Sequence, residues 1–141
     1  MDAIIVDDPD LLSKAFKLRH EVFVIEQDVP PELEWDDDDR TAVHACILDG
    51  EDAIATGRLV IHGAEGKIGR MAVKKDRRGE GFGREILRKL IAAGREKGVS
   101  SFYLHAQVHA KEFYSREGFI PSGGIFDEAG IPHVKMTLAS G

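Results

Sequence analysis

The chain has 141 residues, of which 43% are hydrophobic and 31% charged. This size and ordinary composition predict one globular domain over residues 1–141 and argue against disorder or a fibrous repeat. The longest purely aliphatic runs have four residues, so we expect neither a membrane-spanning helix, which needs about 20, nor a signal peptide. Cys46 is the single cysteine, which excludes an internal disulfide and a multi-cysteine zinc site and favours a reducing, cytoplasmic location.

Charge is distributed unevenly along the chain. The 19 basic and 25 acidic residues give a net charge of −6. Residues 20–39 hold nine acids and no Lys or Arg, whereas residues 67–97 hold eleven basic residues and four acids. The overall acidity argues against a nucleic-acid partner, while the basic segment suits a small polyanion. The acidic segment is either a solvated loop or a surface that attracts a cationic molecule.

Hydrophobic spacing and turn residues predict seven strands and three helices. In the first helix, Asp8-Pro9 supplies an N-cap and a first helical residue. The acidic segment that follows contains Pro30-Pro31 and is expected to form a loop or short helical turns. Because hairpins come first and β-α-β units follow, we expect an α/β (α+β) class with a mixed central sheet of about seven strands and flanking helices. The predicted strands cover residues 3–6, 43–48, 53–61, 67–73, 101–106, 119–125 and 133–138, and the predicted helices cover residues 9–24, 82–97 and 110–116.

A glycine-rich loop joins the fourth strand to the second helix. Glycines let the backbone approach a ligand closely, and the first amides of the following helix have no partner within the helix. The helix dipole adds partial positive charge, so this junction predicts an anion site. It lacks the Lys-Ser/Thr of a P-loop and the glycine spacing of a dinucleotide fingerprint. The residues that converge there are Gly79, Gly81, Gly83, Arg77, Arg78 and Arg84.

Two motifs give this sequence a resemblance to a known family. The loop spacing Arg78-x-x-Gly81-x-Gly83 resembles the pyrophosphate-binding loop of the GNAT N-acetyltransferases, and Ala110-x-x-Phe113-Tyr114 followed by Gly118-Phe119 resembles the C-terminal signature of the same family. Further segments look like the ElaA-like subfamily, namely residues 19–30, 104–107 and 130–136. The resemblance implies the GNAT acyl-CoA N-acyltransferase fold and an acetyl-CoA-dependent N-acetyltransferase, whose acceptor is a primary amine of a small molecule or peptide.

The resemblance also implies a set of site residues. Tyr114 takes the place of the family tyrosine that protonates the departing thiolate, and Gln107 stands where the family often has Asn. The general base is left open, with His105 and His109 as catalytic candidates and Glu26, Glu34 and His133 as acceptor-side candidates. The residues expected to bind acetyl-CoA are Met71, Ala72, Val73, Arg77, Arg78, Gly79, Glu80, Gly81, Phe82, Gly83, Arg84 and Gln107.

Several alternatives stay open at the level of sequence. An acyl-homoserine-lactone synthase has a related fold, and Arg19, Phe23 and Trp35 loosely resemble its N-terminal pattern. A non-catalytic acyl-CoA sensor would keep the fold without turnover. The pair His105-x-x-x-His109 has a metal-ligand spacing for a helix, but it falls at the end of a predicted strand without a third ligand, so no metal site is expected. The oligomeric state is open, with a homodimer among the arrangements allowed.

Overall fold

A seven-stranded sheet organises the computed structural model, which describes residues 1–139 of the chain. The spatial order of the strands is β1-β2-β3-β4-β5-β7-β6. Of the paired strands in residues 1–139, β4 and β5 run parallel and the others antiparallel, so the predicted mixed sheet of seven strands is confirmed. The strands are β1 (Ile4–Ile5), β2 (Val43–Asp49), β3 (Asp52–His62), β4 (Glu65–Val73), β5 (Ser101–Gln107), β6 (Ile120–Glu128) and β7 (Ile131–Ala139).

Helices flank the sheet on both faces. Asp8 caps the first of them as predicted, since its Oδ1 accepts a hydrogen bond from the Leu11 amide at 2.9 Å. The expectation of one helix to residue 24 was wrong, because the α-helix ends at Arg19 and a π-helix continues to Glu26. The helices are α1 (Pro9–Arg19), the π-helix (His20–Glu26), α2 (Pro31–Glu34), α3 (Phe82–Glu96) and α4 (Lys111–Arg116), with 3₁₀ turns at Asp37–Arg40, Lys75–Arg77 and Val108–Ala110. Across residues 1–139, none of the helices has both the length and the apolar character needed to span a membrane.

The main core lies between the sheet and α3. Four apolar side chains on one face of α3 are buried against the sheet, as their spacing predicted: Ile86, Leu87, Leu90 and Ile91. Burying an aliphatic side chain of this size stabilises the fold by about 1.5–3 kcal/mol. Gly57 of β3 allows this close approach, because a Cβ there would lie 2.8 Å from Ile86 Cγ2 and 2.6 Å from Met71 Sδ. A smaller core on the opposite face packs Leu18 and Val22 against the sheet.

The parallel pair at the centre of the sheet is short. Residues 65–68 of β4 pair with residues 101–104 of β5, and the two strands then separate. A bulge in β4 follows directly, because Arg58 of β3 lies opposite Gly69 whereas Thr56 lies opposite Ala72, which leaves one extra residue on β4. Arg70 lies in this bulge with a φ of +52°, a left-handed backbone conformation that residues other than glycine rarely adopt. The bulge and the separation together open a cleft in the middle of the sheet.

Candidate active site

The cleft between β4 and β5 has a volume of about 1660 Å³ and receives side chains from both faces of the sheet. Phe113 and Tyr114 of α4 line it from the α3 side, and Glu34 and Asp36 line it from the α1 side. Pockets for one small ligand commonly measure about 300–1,000 Å³. The cleft is therefore large enough for two reactants that enter from opposite faces of the sheet.

The glycine loop and the start of α3 form an anion cradle at one end of the cleft. Gly79 and Gly81 have φ values of +84° and +88°, which other residues reach only with strain. Gly81 precedes α3 without a side-chain hydrogen bond to cap the helix. The first three amides of α3 thus have no carbonyl acceptor within the helix. They belong to Phe82, Gly83 and Arg84, and all three residues line the cleft. Backbone amides and the helix dipole make this junction suitable for phosphate groups.

Two arginines of the loop are held by carboxylates. Arg78 donates through Nε to the Val73 carbonyl at 3.0 Å, and its two terminal nitrogens contact both oxygens of Glu26 at 2.6 and 2.8 Å. These hydrogen bonds outweigh the effect of burial and lower the pKa of Glu26. Arg77 donates to Asp49 at 2.5 Å and lies over the Phe82 ring at 5.4 Å. The guanidinium groups are thereby placed around the cradle.

The backbone of β4 presents an unpaired edge to the cleft. On one side, Ala72 and Val73 pair with β3, whereas the ladder to β5 ends at Ile68 within the described residues. Residues 71–73 all line the cleft. On this side the Val73 carbonyl accepts a hydrogen bond from Arg78. The other peptide groups have no strand partner among the described residues and can hydrogen-bond a ligand that lies along the strand.

Tyr114 lies deep in the cleft wall. The residue is 8% exposed, and its ring makes edge contacts with Phe113 and Phe119 at centroid distances of 4.9 and 6.1 Å. Burial raises the pKa of the Tyr114 phenol. The hydroxyl is therefore fully protonated at neutral pH and can act as a proton donor.

A cluster of aromatic and titratable side chains lies across the cleft, on β5 and the β6–β7 hairpin. His105 Nδ1 is 2.9 Å from Glu128 Oε1, and the second carboxylate oxygen is 3.6 Å from His133 Nε2. His133 is buried, and its Nδ1 is 2.7 Å from the Ile131 carbonyl. The Phe126 ring packs edge-on against His105 at 5.0 Å and stacks on His133 at 6.0 Å. The structure thus joins His105 and His133 through one carboxylate.

Gln107 and His109 form a separate contact at the end of β5. Gln107 Nε2 donates to Gln27 Oε1 at 2.9 Å, which connects β5 to the residue after the π-helix. His109 Nε2 is 2.5 Å from Gln107 Oε1 and lies in an exposed 3₁₀ turn. Gln107 lines the cleft, but its amide is engaged by protein side chains.

Four of the nine acids in residues 20–39 are paired with arginines. Arg19 donates to Glu34 and to Asp39, at 2.5 and 2.7 Å, and all three side chains are buried. Arg58 contacts Asp36 and Asp39 at 2.7 and 2.9 Å. Glu34 and Asp39 are therefore neutralised inside the protein, because buried carboxylates require partners of opposite charge. Asp36 and Glu26 are paired with arginines nearer the surface. Five acids of the segment are exposed and are the ones that remain available to a cation, namely Glu21, Asp28, Glu32, Asp37 and Asp38.

Three cleft residues were missed from the sequence. Glu128 is the last residue of the glycine-containing strand β6 and resembles any surface acid, and Gln27 lies 80 positions from its partner Gln107. Arg70 donates to the Glu34 and Leu33 carbonyls and to Asp36, so it fixes α2 to β4. The Ala129-Gly130 pair was the available signal for Glu128, because a tight turn brings its two flanking residues, here Glu128 and Ile131, together.

Comparisons with known proteins agree with this architecture. A family model described as an acetyltransferase (GNAT) domain matches residues 21–140. YjcF of Bacillus subtilis, named as an uncharacterized N-acetyltransferase, is 39% identical over 137 residues, which cover 96% of this chain and 98% of YjcF. An acyl-CoA N-acyltransferase from Pseudomonas aeruginosa has a TM-score of 0.86 at 30% identity and covers 99% of this chain and 100% of its own. Escherichia coli ElaA has a TM-score of 0.86 at 28% identity, over 98% and 99% of the two chains.

These similarities confirm the expected acyl-CoA N-acyltransferase fold and the likeness to ElaA. The family model spans well over half of the chain, and the similarity to YjcF extends over nearly all of both proteins. This chain therefore belongs to the GNAT family of N-acetyltransferases.

Proposed function

We propose that this protein transfers the acetyl group of acetyl-CoA to a primary amine of a small molecule or peptide, with both reactants bound at once. The observation that carries the proposal is the continuous cleft that joins an uncapped helix N-terminus to the buried Tyr114. An anion cradle at one end and a protonated phenol farther in suit a long phosphorylated thioester. The volume beyond Tyr114 leaves room for the acceptor.

The cradle residues fit the cofactor. A pyrophosphate would lie on the amides at the start of α3, near Arg77, Arg78 and Arg84, and along the loop residues Gly79 and Glu80. The pantetheine part would hydrogen-bond the unpaired edge at Met71, Ala72 and Val73, with Gln107 close to the end of β5. When bound, acetyl-CoA supplies a thioester whose carbonyl carbon accepts the amine nitrogen while the carbon–sulfur bond breaks.

Two groups of this chain support that exchange. A peptide N–H of residues 71–73 donates a hydrogen bond to the carbonyl oxygen as negative charge develops there. Tyr114 gives its proton to the departing sulfur. A thiol in water has a pKa of about 8.5, but a thiolate in the same buried region is also destabilised, which favours proton transfer from the phenol.

The acceptor side of the cleft supplies the other candidates. His105 and His109 are the candidate proton acceptors, and Glu26, Glu34 and His133 surround the space for the acceptor. Glu26 is bound to Arg78 and Glu34 to Arg19. The two carboxylates can therefore contact the acceptor amine only if it competes with those arginines. Otherwise Glu26 and Glu34 contribute to the site by bounding the space for the acceptor.

Calorimetric titration with acetyl-CoA tests the cradle. Gly81→Asp introduces a carboxylate and a strained backbone at φ +88°, and we expect acetyl-CoA affinity to fall ~100-fold or more. Gly50→Asp is the matched control, because Gly50 has a φ of +65° in a hairpin turn that does not line the cleft. Unchanged affinity in Gly81→Asp would refute the cradle. Thiol release from acetyl-CoA with a panel of amines then tests transfer itself.

A further inference from the structure

We propose that Glu128 is a positioning residue that holds His105 as the proton acceptor for the incoming ammonium group. This inference rests on the proposed acetyl transfer and gives the reaction its missing base. It also assigns a role to a carboxylate that was not among the site residues predicted from the sequence.

His105 lies where the sheet opens. Its neighbour Leu104 is the last residue of β5 that pairs with β4, so His105 is the first residue beyond the junction. The side chain is 25% exposed and lines the cleft. Within residues 1–139, every buried side-chain nitrogen or oxygen has a hydrogen-bond partner. His105 Nε2 has no such partner there, so it is accessible to a molecule in the cleft.

The contact with Glu128 determines which ring nitrogen is available. Burial raises the pKa of the Glu128 carboxyl, but the hydrogen bond from His105 and the charge of neighbouring basic groups, Lys67 among them, outweigh burial and lower that pKa. The carboxylate is therefore ionised and can only accept, so His105 Nδ1 carries the hydrogen across the 2.9 Å contact. The lone pair is then on Nε2, the ring nitrogen that has no hydrogen-bond partner among residues 1–139.

The hairpin between β6 and β7 fixes the carboxylate in place. Ala129 and Gly130 form its two-residue turn with φ values of +54° and +78°, the pattern of a type I′ hairpin. Glu128 immediately precedes this turn and pairs with Ile131. Phe126 on the same strand packs against the His105 ring at 5.0 Å. The ring is thus held both by a hydrogen bond and by an aromatic contact.

The charged surroundings of His105 come from four strands. Glu128 approaches from β6, His133 and Lys135 from β7, and Lys67 from β4, while Tyr103 lies two residues earlier on β5. Lys135 Nζ lies over the Tyr103 ring at 4.8 Å. Glu128 is the anion of this group that contacts the imidazole directly, and it balances the charge that the ring gains when it takes a proton.

The proton balance is complete without a further reactant. An acceptor ammonium group gives one proton to His105 Nε2, and its nitrogen forms the new bond to the acetyl carbon. The carbon–sulfur bond breaks, and Tyr114 protonates the sulfur. His105 then releases its proton to water, and the second ammonium proton returns the tyrosine to its acid form.

Nitrogen NMR of the imidazole rings tests the positioning role without turnover. We expect His105 to carry hydrogen on Nδ1 in the wild-type protein, with or without CoA. Glu128→Ala should shift this ring toward the other tautomer, whereas Asp127→Ala should not, because Asp127 is an exposed neighbour on the same strand. A His105 ring that carries hydrogen on Nε2 in the wild type would overturn the assignment.

Two nucleophiles separate a chemical role from a structural one. n-Butylamine is an ammonium ion at neutral pH and needs a base, whereas hydroxylamine is already neutral. We expect His105→Asn to lower kcat/KM for butylamine ~100-fold and for hydroxylamine less than about tenfold. Glu128→Ala should move the acidic limb of the butylamine pH profile to lower pH. His20→Asn is the matched control, since His20 is exposed on the π-helix.

The outcomes distinguish this inference from the proposed function. Equal losses with both nucleophiles in His105→Asn would show a structural role and overturn the base assignment, as would an unchanged pH profile in Glu128→Ala. If the wild-type protein released no thiol from acetyl-CoA with any amine, the proposed acetyl transfer itself would be refuted.

Discussion

Replacing Asp39 with asparagine keeps the shape of the side chain but removes the charge that two buried arginines share. Asp39 accepts hydrogen bonds from Arg19 Nη1 at 2.7 Å, Arg19 Nη2 at 3.1 Å and Arg58 Nη1 at 2.9 Å. The side chains of Asp39 and Arg19 are 0% and 1% exposed, so water cannot replace the lost partner. We expect Asp39→Asn to lower the free energy of unfolding.

The structure sets the size of this loss. Burial raises the pKa of Asp39, but the hydrogen bonds and charge of Arg19, the Asp36 N–H and Arg58 outweigh it and hold the pKa at about 2, against 3.8 for an ordinary Asp. At roughly 1.4 kcal/mol per pKa unit, the ionised form contributes about 2 kcal/mol. Removing one partner of a buried ion pair typically costs about 3–5 kcal/mol. We expect a loss of about 2–5 kcal/mol at pH 7.

The same pKa fixes the pH dependence. Because the pKa of Asp39 is lower in the folded than in the unfolded state, the stabilisation is complete above about pH 4 and is lost as pH falls through about 2. Asparagine does not titrate at this position. The difference in unfolding free energy between wild type and Asp39→Asn should therefore narrow by about 2 kcal/mol between pH 4 and pH 2.

Urea unfolding followed by circular dichroism measures both quantities. Asp37→Asn is the matched control, because Asp37 is exposed in the same 3₁₀ turn and should change stability by less than about 0.5 kcal/mol. A loss below about 1 kcal/mol in Asp39→Asn at pH 7, or a difference from wild type that is constant across pH, would refute the reasoning from buried charge.

Three other changes test the site and the hairpin. Tyr114→Phe should lower kcat ~100-fold with little change in acetyl-CoA affinity; equal turnover would exclude Tyr114 as the proton donor. Arg78→Ala should weaken acetyl-CoA binding and reduce its dependence on salt, measured by calorimetry at low and high ionic strength; an unchanged salt dependence would contradict a charge contact. Ala129→Gly should raise Tm by ~2–4 °C, because it removes about 1 kcal/mol of strain at φ +54°; a lower Tm in thermal unfolding would contradict that strain.

Local sequence patterns predicted the elements that build the fold. The apolar face of α3 follows a regular helical spacing, and the Asp8-Pro9 cap depends only on neighbouring residues. The glycine loop was also recognisable, because its positive φ values require glycine at particular positions. These features depend on residues close in sequence.

Contacts between distant segments were not predictable in the same way. Arg19 and Asp39 are 20 positions apart, and the acidic segment gave no sign of which carboxylates would be buried. His105 and Glu128 are 23 positions apart on different strands. The change from α- to π-helix after Arg19 has no proline or glycine to mark it. Tertiary packing decides each of these features.

Because β4 and β5 separate after Ile68 and Leu104, the sheet has two inner strand edges in addition to its two outer ones. Besides the outer edges at β1 and β6, residues 69–73 and 105–107 form an inner pair that is recessed in the cleft. Exposed strand edges invite association with other chains, but these inner edges lie within the cleft, where a small ligand can cover them. A ligand that hydrogen-bonds the inner edge takes the place of a missing strand segment and ties the two halves of the sheet together. The amides of residues 69–73 should then exchange with solvent more slowly, and the free energy of unfolding should rise with the logarithm of ligand concentration.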